Sequence, residues 1–278
     1  MGTGVDPHLY RPTRRDVKRL LGAQLIVSNG LRLEGRMEEL FDQLRRLGKH
    51  VWALGDLIPT QRLRYPGEGS HPDPHIWMDV GLWRHGLERL YEKLAADTFF
   101  QPWLSPERFT DYLRDLRELD VYIHGVIQSI PAVQRVLVTA HDAFGYFGRA
   151  YGIEVRGLQG VSTESEAGVH DVRSLIEFLV ERKIPAIFVE TSVNPRLVEA
   201  VLAGCRARHW PVQLGGTLFS DAMGPPGDYT GTYLGMMDAN ATTIARGLGG
   251  HVPPGGWRGL LPATAMSVHS NHAKSINS

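Results

Sequence analysis

SPERFTDYLRDLRELDVYIHGVIQSIP, residues 105–131, is the stretch around which the rest of the chain arranges itself. Ser105 is a good helix N-cap and Pro106 a good first helical residue, because that position needs no amide hydrogen. Phe109, Tyr112, Leu113, Leu116, Leu119, Ile123, Val126 and Ile130 then keep helical spacing until Pro131 stops the run. The spacing predicts one long helix. It suits a strut between two halves of the chain, and periodicity alone fits an ordinary crossover helix equally well.

On either side of this helix the chain alternates between short strand-like runs and amphipathic helices. Upstream, Thr13 with Asp16 three residues later marks a helix start, followed by the strand-like Leu25-Ile26-Val27. Met37, Leu40, Phe41, Leu44 and Leu47 keep helical spacing, Val51-Trp52-Ala53-Leu54 is a strand, and Leu82, Trp83, Leu87, Leu90, Tyr91 and Leu94 form another helix. Downstream, strands are expected at 136–139, 186–189 and 212–219, the last interrupted by Gly215 and Gly216. Helices are expected at 172–182 and, with Asn194 as cap and Pro195 next, at 196–206. This rhythm predicts an α/β fold of two lobes, each a parallel sheet flanked by helices. The expected division is an N-terminal lobe at 1–104, a linking helix at 105–130, a C-terminal lobe at 131–248 and a loose tail at 249–278.

Bulk properties exclude several classes. Lys+Arg and Asp+Glu are balanced at 30 each, so no basic field argues for nucleic acid. Cys205 is the single cysteine, which rules out an internal disulfide and a thiolate-rich metal site. No apolar run reaches transmembrane length.

The chemistry lies in a repeated tripeptide. Asp6-Pro7-His8 recurs as Asp73-Pro74-His75, and each proline stiffens the segment that carries its histidine. His141 and Asp221 each follow an apolar strand-like run, as does Glu190. The C-terminal ends of parallel strands are where open α/β sheets bind ligands. Three imidazoles and a carboxylate suit a divalent transition metal, with Glu190, Asp6 and Asp73 as further groups able to orient the ligands or join them. The chain has twelve histidines. For His50, His85, His124, His170 and His209 the ordinary surface or core role is expected. His71 is close to the second motif but reads as a solvated loop residue, and His251, His269 and His272 sit in the tail.

At this point four ordered motifs resemble one family. Gly4-Val5-Asp6-Pro7-His8-Leu9-Tyr10, Asp73-Pro74-His75-Ile76-Trp77-Met78-Asp79, Thr139-Ala140-His141-Asp142-Ala143-Phe144-Gly145-Tyr146-Phe147 and Leu218-Phe219-Ser220-Asp221 resemble the cluster A-I metal receptors, the solute-binding subunits of manganese, zinc and iron ABC transporters. Glu190-Thr191-Ser192-Val193-Asn194 matches a further family segment, and the resemblance covers roughly residues 1–248. It implies two lobes joined by a rigid helix, with the metal in the cleft between them. His8 and His75 would come from one lobe, His141 and Asp221 from the other, as in the TroA-like members. It implies a monomeric extracytoplasmic receptor, periplasmic or anchored at the cell surface, that carries one Zn2+ or Mn2+ (or Fe2+) to a membrane permease and catalyses nothing. The His-rich loop of zinc receptors has no counterpart between Gln61 and Pro72, where only His71 occurs. Family members carry an export signal and about one βα unit before the first motif, so residues upstream of Met1 are expected. The other readings are a zinc-dependent hydrolase, with Glu190 as the water-activating acid, and a metal-binding surface adhesin or storage protein.

Overall fold

The computed structural model describes residues 2–67, 71–165 and 167–262. In chain order its elements are α1 (Arg14–Gly22), β1 (Leu25–Ser28), α2 (Glu38–Arg46), β2 (His50–Ala53), α3 (Val80–Ala95), α4 (Pro106–Gln128), β3 (Val136–His141), α5 (Gly145–Tyr151), β4 (Glu154–Gln159), α6 (Val169–Glu181), β5 (Ala186–Glu190), α7 (Arg196–Ala207), β6 (Gln213–Leu218) and α8 (Tyr233–Gly247). The strands pair in parallel as β1 with β2, β3 with β4 and β5 with β6, and β3 lies alongside β5. Parallel pairs need crossovers, and helices supply them.

Local chemistry accounts for the element starts. Thr13 and Asp16 form a reciprocal capping box on α1. Ser105 accepts a hydrogen bond from the Arg108 amide, and Pro106 opens the 23-residue α4. At α7 the expected cap is displaced by one residue: Pro195 occupies the cap position, and Asn194 Oδ1 accepts from the Arg196 amide at 3.1 Å. Gly215 is the extra residue in the β5–β6 ladder, where Ile187 pairs with Leu214 and Phe188 with Gly216. A Cβ on Gly215 would meet the Phe188 ring at 2.6 Å, so the bulge requires glycine.

Helix α4 packs on α3, α5 and α8, and the largest buried apolar cluster runs along it. Leu116, Leu119, Ile123 and Ile127 of α4 meet Leu82 of α3, Phe147 of α5 and Met237 and Ile244 of α8. One core therefore contains residues from both sides of the helix. A second cluster fills the β3–α7 region, and a small third one, Ile26, Met37, Phe41, Leu44 and Val51, supports β1 and β2.

Three elements have no counterpart in the sequence expectations: α5, β4 and α8. The segment following α8 also differs from the expected loose tail. The Trp257 amide donates to buried Asp238 at 3.0 Å, and Arg258 pairs with Asp115 and Glu118 of α4 at 2.8 and 2.7 Å. Leu261 is buried. These contacts hold the chain to residue 262, while His269 and His272 lie outside the described residues.

Candidate metal centre

His8, His75, His141 and Asp221 each present a donor atom, and these atoms all lie within 4.8 Å of one another. His8 Nε2 is 3.4 Å from His75 Nε2. His75 Nε2 is 3.2 Å from Asp221 Oδ1, and His141 Nε2 is 3.3 Å from Asp221 Oδ2. Tetrahedral donors at zinc–nitrogen bond lengths stand about 3.3–3.4 Å apart, so these spacings fit a single ion. His141 Nε2 and Asp221 Oδ1 are buried with no hydrogen-bond partner in the protein. Buried polar atoms are normally satisfied, and orphans that face one point mark a place for a cation.

Each donor residue is placed by its local backbone. His141 ends β3, and Asp221 follows β6 by three residues, so both sit at the C-terminal ends of parallel strands. His75 sits just before the short 3₁₀ turn Ile76–Met78, which is fully buried or nearly so and is clamped by Trp77 Nε1 donating to the Ser220 carbonyl at 2.9 Å. His8 lies on the segment before α1, with its amide held by Asp6 Oδ1 at 2.8 Å.

The surrounding carboxylates fix the imidazoles. Asp73 Oδ1 lies 2.7 Å from His75 Nδ1 and accepts from the His75 amide at 3.0 Å. Glu190 Oε1 accepts from the His141 amide at 2.9 Å, and its Oε2 lies 2.5 Å from His141 Nδ1. A carboxylate beside Nδ1 leaves Nε2 of each ring facing the point shared by the four donors. Asp6 behaves differently: its second oxygen accepts from the Thr163 hydroxyl at 2.6 Å. Glu190, Asp6 and Asp73 are thus placed around the donors, not among them.

Electrostatics follow from burial and these neighbours. Burial alone would lower the pKa of His75, but Asp73 and Asp221 outweigh it and push it up to about 9. His141 is likewise raised well above the usual imidazole value, with Glu190 and Asp221 overcoming burial. Asp221 is held far below the usual carboxylate range because His141 and His75 outweigh its burial. His8 is lowered, chiefly by burial.

Of the remaining histidines, none joins this group among the described residues. His71 pairs with Arg32 Nη1 at 2.6 Å. Sequence reasoning missed Arg64, which bonds Asp73 Oδ2 at 2.7 Å and Asp142 Oδ2 at 3.0 Å, and Thr163. Arg64 reaches Asp142, 78 positions away, and Thr163 reaches Asp6, 157 positions away, contacts that no local spacing could reveal.

The chain matches other proteins over most of its length. Residues 1–247 match the family described as zinc-uptake complex component A, periplasmic (ZnuA). The zinc-binding protein TroA of Treponema pallidum is 49% identical over 249 residues, which span 89% of this chain and 80% of that protein. Its solved structure superposes with a TM-score of 0.84 and 48% identity over 89% of both chains. The manganese-binding lipoprotein MntA of Bacillus subtilis is 41% identical over 256 residues, 89% of this chain and 81% of that one. The manganese ABC transporter substrate-binding lipoprotein PsaA of Streptococcus anginosus is 28% identical over 250 residues, 88% of this chain and 79% of that one. With all six strands and all four donors inside the matched span, this chain belongs to the ZnuA family, zinc-uptake complex component A.

Proposed function

We propose that this chain is the extracytoplasmic receptor of an ABC importer, which captures one divalent transition-metal ion and hands it to a membrane permease. His8, His75, His141 and Asp221 hold the ion in the cleft between an N-terminal lobe at 1–104 and a C-terminal lobe at 131–248, with 105–130 as the link. The observation that carries this reading is the convergence of four donors, from segments up to 213 positions apart, at separations that suit one ion. The relatives named above bind zinc or manganese by name, and they are lipoproteins in two cases, so the working place of the receptor is outside the cytoplasmic membrane, in the periplasm or anchored at the surface. The protein acts as a monomer.

Three imidazoles and one carboxylate favour zinc over manganese on intrinsic affinity. Binding requires the ring nitrogens to shed their protons, so His75 and His141 exchange a proton for the ion, while Asp221 offers a charged oxygen to each of them. Its family is one of solute receptors, and membership in it decides against the hydrolase reading.

The test is metal analysis after native purification, followed by calorimetric titration of the stripped protein. One tightly held ion per chain and no hydrolytic turnover are expected. A protein that takes up no stoichiometric zinc or manganese would refute the receptor reading.

A further inference from the structure

We propose that Arg64 is the positioning residue that locks the His75 segment and the end of β3 at His141 into one register, an inference that rests on the metal-receptor reading above. Its guanidinium spans two carboxylates. Nη1 donates to Asp73 Oδ2 at 2.7 Å, and Nη2 donates to Asp142 Oδ2 at 3.0 Å. Asp73 holds both the amide and the Nδ1 of His75 through its other oxygen. Asp142 is the residue directly after His141. One side chain therefore grips the carboxylate that orients one imidazole and the backbone neighbour that carries another.

The surroundings are shaped to hold it. The Arg64 amide donates to Tyr146 Oη at 2.9 Å, and that hydroxyl donates onward to the Asp73 carbonyl at 3.0 Å. The guanidinium lies flat on the start of α5 at Gly145, where a Cβ would come within 2.2 Å of Arg64 Cζ. Gly145 does not have a left-handed φ, so its role is the space it leaves. The Asp73 side chain is fully buried and those of Arg64 and Asp142 are 27% and 19% exposed, so the bridge is only partly screened by solvent. Arginine suits this task because its planar fork reaches two carboxylates at once, which a lysine ammonium cannot do with the same geometry.

The experiment compares wild type, Arg64→Gln, Arg64→Lys, Gly145→Ala and Arg258→Gln. Each is stripped of metal, titrated with zinc against a competing chelator and loaded with Co2+, whose visible absorption reports coordination geometry. Arg64→Gln should lose about 10–100-fold in zinc affinity, the usual effect of removing a group that orients metal ligands. Arg64→Lys should recover only part of it. Gly145→Ala keeps every charge and suits a helix better, yet it should reproduce the loss by pushing the guanidinium away. Both Arg64→Gln and Gly145→Ala should change the cobalt spectrum. Arg258→Gln, which removes an arginine bridging Asp115 and Glu118 on α4, should leave affinity and spectrum alone.

Wild-type affinity and spectrum in both Arg64→Gln and Gly145→Ala would overturn the inference. So would an affinity loss with an unchanged spectrum, which would assign Arg64 to general stability. A wild-type chain that binds neither zinc nor Co2+ would instead sink the receptor reading, so the two failures are distinguishable. If Arg64→Gln does not fold, Gly145→Ala decides the matter alone.

Discussion

Asp6-Pro7-His8 and Asp73-Pro74-His75 are the same tripeptide put to two uses. In both, the aspartate accepts a hydrogen bond from the histidine amide two residues on, at 2.8 and 3.0 Å, so the local turn is shared. Beyond that they diverge. Asp73 also takes the imidazole Nδ1 of His75 and is gripped by Arg64, and His75 is fully buried. Asp6 turns its other oxygen away from its histidine to Thr163, and His8 keeps 5% exposure at the edge of a cavity of about 430 Å³ lined also by Arg32, Arg36 and Glu164. The proline and the amide hydrogen bond come from sequence, but the character of each ligand comes from its tertiary partners. His75 is the anchored member of the donor group and His8 the one at the cavity edge.

The sharpest way to break this contrast is to remove the ligands themselves. His75→Ala and His141→Ala should each lower zinc affinity by more than about 100-fold, beyond the effect of losing an orienting group. His8→Ala should cost less, because among the described residues no carboxylate hydrogen-bonds its Nδ1 as Asp73 does that of His75. His124→Ala, on α4 and outside the donor group, should change nothing measurable. Calorimetric titration of the four variants checks the order, and equal losses in all of them would mean that the chosen histidines are not the ligands.

Next in size is the difference between the two aspartates. Asp73→Asn should cost about 10–100-fold in zinc affinity, since it leaves His75 without its charged orienter and Arg64 with only one of its two carboxylate partners, Asp142. Asp6→Asn should cost less than Asp73→Asn, because Asp6 orients a backbone amide and not a ring. Parity between the two would erase the distinction between anchored and outward-facing ligands.

Much of this architecture was legible in sequence, for reasons that particular residues show. Ser105-Pro106 and the stripe ending at Pro131 marked α4, because capping and amphipathic spacing are local properties. The two Asp-Pro-His segments, His141 and Asp221 stood out because stiff prolines and strand ends are visible without a partner. What was not legible depended on tertiary context. Helix α8 carries Asn240, Thr242 and Thr243 and buries residues all round, including Asp238, so it has no amphipathic stripe to read. Strand β4 mixes Glu154, Arg156 and Gly157 and pairs only with β3, and α5 is just 7 residues long. Arg64 and Thr163 meet partners 78 and 157 positions away, which no local pattern encodes.

A pH series sharpens the comparison further. In the metal-free protein the raised pKa of His75, about 9, means that pairing with Asp73 and Asp221 stabilises the fold fully below the ordinary imidazole value of 6.5 and that this contribution fades as pH rises through 9. Zinc needs both raised rings deprotonated, so with His75 and His141 each giving up a proton its affinity should climb by up to about a hundredfold per unit from pH 7 toward 9 while the metal-free melting temperature falls. His8, whose pKa is lowered, has no proton to displace at neutral pH. Accordingly His8→Ala should keep the slope, and His75→Ala should reduce it to the part that His141 supplies. Melting curves with and without zinc at pH 6.5 and 9, together with chelator competition across that range, would show it, and a pH-independent affinity would contradict the argument.

The smallest effect tests the outward-facing half alone. Thr163→Val preserves the shape of the side chain and deletes the hydroxyl that donates to Asp6 Oδ2 at 2.6 Å. Asp6 keeps its bond to the His8 amide, so the donor set survives and the loss is that of one hydrogen bond to a partly exposed carboxylate. Such a bond contributes about 1 kcal/mol, equivalent to roughly fivefold in an equilibrium. The loss should fall on zinc release, measured by chelator-chase kinetics, because the Thr163–Asp6 bond ties the segment that carries His8 to a part of the chain 157 positions away. The Co2+ spectrum should stay as in wild type, in contrast to the change expected for Arg64→Gln. A Thr163→Val protein that released zinc at the wild-type rate would show that the Asp6–Thr163 contact does not retain the ion, and the His8 side would then differ from the His75 side in burial alone.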